Sequence, residues 1–78
     1  MADVTEVKLP GVGIRYEFLT GAGDRVEVLA HRSGRRDIFV GDREDPDAFR
    51  AVLELSDDES QTLAELLGGS RITREPPG

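Results

Sequence analysis

The sequence predicts an α+β fold: a small antiparallel sheet in the order β-β-β-β-α-α-β, with two short helices on one face. Three observations carry that reading. From Ile14 to Val40 the apolar residues return at every second position, as in half-buried strands. From Pro46 onward they return at helical spacing. No strand–helix–strand alternation occurs, so the strands pair antiparallel and the helices gather on one side.

Val4 to Leu9 reads as a first, edge strand, followed by a break at Pro10, Gly11 and Gly13. Ile14, Tyr16 and Phe18 alternate with Arg15 and Glu17 in the second strand, and Val26, Val28 and Ala30 alternate with Arg25, Glu27 and His31 in the third. Ile38 and Val40 mark the fourth. Residues directly opposite on antiparallel strands share a face, so the parity of each loop decides which side chains lie together. A three-residue loop of Gly21, Ala22 and Gly23 sets Phe18 opposite Val26 and Tyr16 opposite Val28. A loop of Arg32, Ser33 and Gly34 sets Val28 opposite Ile38 and Val26 opposite Val40, whereas a two-residue loop would mix the two apolar sets. Gly23 and Gly34 then fall where φ is positive, and with Gly13 they are the structural turn residues. The same register puts Glu17 opposite Glu27, a like-charge cost that only Arg15 and Arg25 can offset.

Asp45-Pro46 reads as the cap and first position of a helix carrying Ala48, Phe49, Val52 and Leu53 on one stripe. Ser56-Asp57-Asp58-Glu59 is a capping box for a second helix bearing Leu63, Leu66 and Leu67. Gly68 is placed to end it in a left-handed conformation. Ser70 to Arg74, through Ile72, reads as a last strand. The domain is thus expected to span residues 1–74, with 75–78 as a linker or chain end.

Composition narrows the function. Sixteen acidic residues against ten basic ones leave a net charge of -6, which argues against nucleic acid as a partner, since phosphate binding rests on Lys and Arg. The absence of cysteine removes disulfides and thiolate metal sites and suits a reducing compartment. No apolar run approaches the ~20 residues of a membrane-spanning helix, so direct membrane insertion is not expected. Nor is a leader visible at Met1 to Leu9. Enzyme motifs fail individually. Gly11 and Gly13 precede a strand and cannot open a phosphate-binding helix. The acidic run from Asp42 places Asp47 where a calcium loop needs glycine and Leu53 where it needs a bidentate acid. A single histidine cannot build a multi-histidine metal site. No catalytic, cofactor-binding or metal-binding residue is expected.

What remains is a surface. Leu29 and Phe39 point away from the predicted helices as diagonal neighbours, so either a partner covers them or Val4 or Val7 folds over them. Arg32, Arg35 and Arg36 form a basic cluster beside that patch, available to orient an acidic partner or to balance Asp37 and Asp42. His31, at the hairpin end near Arg35 and Asp37, is a candidate pH sensor or an ordinary exposed histidine.

The segments Leu9-Pro-Gly-Val-Gly-Ile-Arg-Tyr-Glu17, His31-Arg-Ser-Gly-Arg-Arg-Asp-Ile38, Asp42-Arg-Glu-Asp-Pro-Asp47, Leu55-Ser-Asp-Asp-Glu59 and Leu66-Leu-Gly-Gly69 follow one another across nearly the whole chain. In that succession they resemble the N-terminal domain of KhtT-type regulatory subunits of cation/proton antiporters. In that family the domain precedes a TrkA C-terminal-like (RCK_C) domain, where regulation by cyclic di-AMP is placed. The subunit sits on the cytoplasmic side of a membrane antiporter that exchanges potassium or other monovalent cations for protons. The resemblance therefore implies a cytoplasmic, non-catalytic regulatory domain, peripheral to the inner membrane. Its implied partners are the antiporter, the RCK_C-like domain of the full subunit, or a second copy as a homodimer. The RCK_C-like domain is expected to begin where this sequence stops, so none of its ligand-binding residues can be carried over. The alternative reading is a stand-alone protein-binding module or adaptor, unrelated to transport, that offers a sheet edge for strand addition.

Overall fold

Strict alternation of side chains and glycine-closed loops produce strands that pair with their sequence neighbours, and the result is a meander. The computed structural model describes residues 3–69. The strands β1 (Thr5–Leu9), β2 (Gly13–Leu19), β3 (Arg25–His31), β4 (Arg36–Gly41) and β5 (Phe49–Leu55) form one antiparallel sheet in the order β1-β2-β3-β4-β5, followed by the helix α1 (Asp57–Gly68).

The register is the one that loop parity demands. Phe18 lies opposite Val26, Tyr16 opposite Val28, Val28 opposite Ile38 and Val26 opposite Val40. The loop Gly21–Gly23 is closed by Thr20 N–H donating to the Asp24 carbonyl at 2.8 Å, and the loop 32–34 by His31 N–H donating to the Arg35 carbonyl at 2.9 Å. Gly23 and Gly34 have φ of 89° and 101°, the left-handed position that a side chain disfavours. Gly13 has a different task. A Cβ there would lie 1.9 Å from the Ala30 carbonyl oxygen, so only glycine lets β2 approach β3 at this point.

Among the described residues, two helices and the order β-β-β-β-α-α-β are not found: the sheet has five strands, and one helix follows it. The segment from Pro46 that was expected to form a helix instead supplies β5. Asp45 explains the ambiguity, because its side chain accepts from the Asp47 N–H at 3.0 Å and its carbonyl accepts from the Ala48 N–H at 3.1 Å. An aspartate turned back on the following backbone opens a tight turn as readily as a helix, and proline fits the next position of either. An isolated helix of two turns or so has little stability of its own. As a strand the same residues satisfy the open hydrogen-bonding edge of β4. A β-bulge at Val40/Gly41 accommodates the join.

The capping box of α1 is complete, with the Ser56 hydroxyl accepting from the Glu59 N–H at 3.1 Å and the Glu59 carboxylate accepting from the Ser56 N–H at 2.8 Å. The left-handed residue that ends α1 is Gly69, φ 81°, one position beyond the expected Gly68. The expected strand through Ile72 lies outside the described residues.

Register sorts the strands into two faces. Ile14, Tyr16, Phe18, Val26, Val28, Ile38, Val40 and Leu53 share the helix-side face. Arg15, Glu17, Glu27, Leu29, Asp37, Phe39 and Val52 share the outer face. α1 packs on the helix-side face chiefly at the β5 end.

Candidate protein-interaction face

The outer face combines a small apolar cluster with an unusual density of charge. Leu29 and Phe39 stand on adjacent strands as diagonal neighbours, each half-buried, with Glu27 opposite Phe39 and Asp37 opposite Leu29. Val52 on β5 lies opposite Phe39 and is 58% exposed. The bulge turns Phe49 toward this face as well, bringing its ring centroid to 5.1 Å from that of Phe39 in a tilted contact. The Arg25 guanidinium sits 5.8 Å from the Phe49 centroid, over Gly41, where a Cβ would approach it to 2.8 Å.

Phe49 and Val52 join this face because their segment is a strand and not the helix that its apolar spacing predicts. The alternation of Phe49, Ala51, Leu53 and Leu55 was the available signal for a strand.

The polar groups of this face are paired across strands. Glu27 is buried, opposite Glu17 and 3.9 Å from the Arg15 guanidinium. Burial, and then the Glu17 carboxyl opposite, push the Glu27 carboxyl above the usual carboxylate range. At the other end His31 Nε2 lies 2.7 Å from Asp37 Oδ2, and Arg35 Nη2 donates to the same oxygen at 3.1 Å. At that distance the ring nitrogen carries the proton and donates it. The His31 hydrogen bond, supported by that of Arg35, holds the Asp37 carboxyl below the usual range despite its burial. Asp37 Oδ1 is buried without a partner.

The structure divides the expected basic cluster. Arg35 belongs to the His31–Asp37 group on the outer face. Arg36 lies opposite Ala30 and Leu55 on the helix-side face, its guanidinium donating to the backbone carbonyls of His31 and Arg35. Arg32 is exposed in the loop, its N–H donating to the Val12 carbonyl at 2.9 Å. Of these three, Arg35 is the one brought beside Leu29, through its bond to Asp37, and Arg15, directly opposite Leu29 on β2, is a further arginine on this face. Asp24, at the opposite end of the sheet, holds Arg43 at 2.9 Å and Arg50 at 3.0 Å, tying the β2–β3 loop to the start of β5.

Among the described residues no three histidine, aspartate or glutamate side chains converge as a metal-ligand set, and no helix is long and apolar enough to cross a membrane.

Known proteins resemble this chain in sequence. Residues 2–71 match the family model described as the N-terminal domain of the K(+)/H(+) antiporter subunit KhtT. The chain is 33% identical over 67 residues to the K(+)/H(+) antiporter subunit KhtT of Bacillus subtilis (strain 168), covering 86% of this chain and 41% of that protein. It is 36% identical over 66 residues to the ammonium/H(+) antiporter subunit AmhM of Alkalihalophilus pseudofirmus (strain ATCC BAA-2126 / JCM 17055 / OF4), covering 83% of this chain and 40% of that protein. The chain thus spans about two fifths of the length of the curated relatives it matches.

Proposed function

The chain belongs to the family of KhtT N-terminal domains, and from that membership we propose that it is a non-catalytic regulatory domain of a cation/proton antiporter, acting through protein–protein contact. Its partner is the membrane antiporter, approached from the cytoplasmic side, and the cation is potassium or another monovalent ion such as ammonium. The observation that carries the reading is the outer face. Leu29, Phe39, Phe49 and Val52 offer an apolar centre, and Arg35, bonded to Asp37, and Arg15, opposite Leu29, offer positive charge beside it. Apolar anchors ringed by charge supply affinity and orientation respectively. A change of state in the remainder of a full subunit is relayed by strengthening or weakening this contact.

The His31–Asp37–Arg35 group gives the contact a means of responding to cytoplasmic pH, because a second proton on the ring adds a positive charge beside a buried carboxylate at the margin of the face.

The test is copurification of the full subunit with its antiporter, together with cation/proton exchange in vesicles. Leu29→Lys is expected to weaken copurification about tenfold or more while leaving the circular dichroism spectrum unchanged. His31→Gln is expected to flatten the pH profile of exchange. Wild-type copurification by Leu29→Lys would remove this face from the mechanism, and an unaltered pH profile in His31→Gln would remove the histidine.

A further inference from the structure

β5 is the last strand of the sheet, and among the described residues no strand pairs with its far side. Its outward N–H and C=O groups are left without a ladder partner. Native sheets guard such edges, and this chain guards one of its two. β1 is five residues long, carries the exposed charges Glu6 and Lys8 and is followed by Pro10, all of which discourage pairing. β5 is seven residues long, and Phe49 to Glu54 are all exposed. It contains neither lysine nor proline, and its charges, Arg50 and Glu54, leave Ala51-Val52-Leu53 in the middle uncharged. The side-chain rows lead to the same edge. On the helix-side face the row Tyr16, Val28, Ile38 and Leu53 crosses the sheet and stops at β5, as Phe39 and Val52 do on the outer face. Leu53 is 49% exposed and Val52 58% exposed, so both rows end in apolar surface that one more strand covers.

We propose that the open edge of β5 takes an extended segment of the antiporter as an added strand, an apolar stretch about the length of β5 flanked at both ends by lysine or arginine. Charge selects that occupant. The edge lies between two acidic ends: Asp42, Glu44, Asp45 and Asp47 in the loop before β5, and Asp57, Asp58 and Glu59 at the start of α1. Among the described residues none of these carboxylates is ion-paired, and the neighbouring Arg43 and Arg50 are both taken by Asp24. The strand separates the two ends by roughly 20 Å, well beyond the ~8 Å over which physiological salt screens a charge. Each end therefore attracts a cation of its own. A second copy of the chain does not suit the edge, because pairing β5 with itself in either direction sets acidic ends against acidic ends. A cytoplasmic segment of a membrane protein does suit it, since such segments carry an excess of lysine and arginine. The choice of the antiporter as its source rests on the function proposed above. The added strand lies beside Val52 on one face and Leu53 on the other, so it continues the outer face instead of competing with it.

The probe is a synthetic peptide with an alternating valine–threonine core as long as β5 and two lysines at each end, titrated into the isotope-labelled chain while backbone amide exchange is followed. The expected result is slowed exchange along β5, with binding that weakens as salt rises. A peptide with glutamate in place of lysine, and one N-methylated throughout its core so that it cannot donate to the ladder, are each expected to bind about tenfold or more weakly. Leu53→Lys sets a like charge in the middle of the edge and is expected to weaken binding by a similar factor, whereas Glu6→Lys on β1 leaves it unchanged. The methylated peptide is tested on wild type, so the experiment decides even if Leu53→Lys fails to fold. No binding by the lysine-flanked peptide, equal binding by its methylated form, or protection of β1 in place of β5 overturns the inference. Copurification separates it from the function it rests on. Loss in Leu29→Lys with retention in Leu53→Lys overturns the edge alone, and loss in Leu53→Lys with retention in Leu29→Lys overturns the outer face alone. Peptide binding at β5 without any wild-type copurification overturns the antiporter as the source of the strand.

Discussion

Replacing Glu27 by glutamine is expected to stabilise this protein at neutral pH, although it removes a charge lying near two arginines. Glu27 is 8% exposed and faces Glu17 directly across the β2–β3 pair. Two carboxylates ~5 Å apart repel by about 3 kcal/mol at an effective dielectric constant of about 20. Arg15, 3.9 Å from Glu27, and the solvent around Glu17 offset most of this, leaving roughly 1 kcal/mol, the upper end for opposed like charges on a sheet. In a domain of this size that corresponds to a melting temperature about 4–8 °C higher for Glu27→Gln. The sign of the pH dependence follows from the upward direction of the Glu27 shift. A carboxyl raised on folding favours the native state while it is protonated, below its unfolded value near 4.5, and that contribution is lost as pH rises through the folded value. The advantage of the glutamine variant should therefore be absent at low pH, grow above about 4.5 and level off once Glu27 is ionised. Asp24, Asp37 and Glu59, whose carboxyls are held low, act in the opposite sense, but they are common to both proteins and cancel in the difference. The assay is paired thermal denaturation of wild type and Glu27→Gln from acid to neutral pH. A variant less stable than wild type at neutral pH, or a difference that does not change with pH, would refute the reasoning.

Two further substitutions probe the elements that set the fold. Ser56→Ala removes the hydroxyl that accepts from the Glu59 N–H and is expected to cost about 1 kcal/mol, read as weakened helical ellipticity and earlier melting of α1. Gly13→Ala drives a methyl group to 1.9 Å from the Ala30 carbonyl oxygen and is expected to destabilise by about 1–3 kcal/mol, seen in a denaturant titration.

The first four strands, and the register that joins β2, β3 and β4, were legible in the sequence because their determinants are local. A glycine at the third loop position and strict apolar alternation fix both the loop length and the facing residues, including the costly Glu17–Glu27 pair. The capping box of α1 was equally plain, since all of its groups lie within four consecutive residues. The segment Phe49–Leu55 was not, because its apolar spacing suits a helical stripe and a strand alike. That segment carried the rest of the candidate face with it. Phe49 joins Phe39 only because a bulge turns it outward, and Arg36 leaves its neighbours only because successive residues of β4 face opposite ways.

By itself, then, the sequence determined the hairpins, the helix cap, the family and the apolar pair Leu29 and Phe39. Tertiary structure alone decided that β4 takes a fifth strand for its open edge, and that α1 stands at one end of the sheet without covering it. The physical reason is range. Turn and cap energies are settled among residues a few positions apart, whereas the fate of a segment with two compatible periodicities is settled by which unsatisfied edge or uncovered face it meets in space.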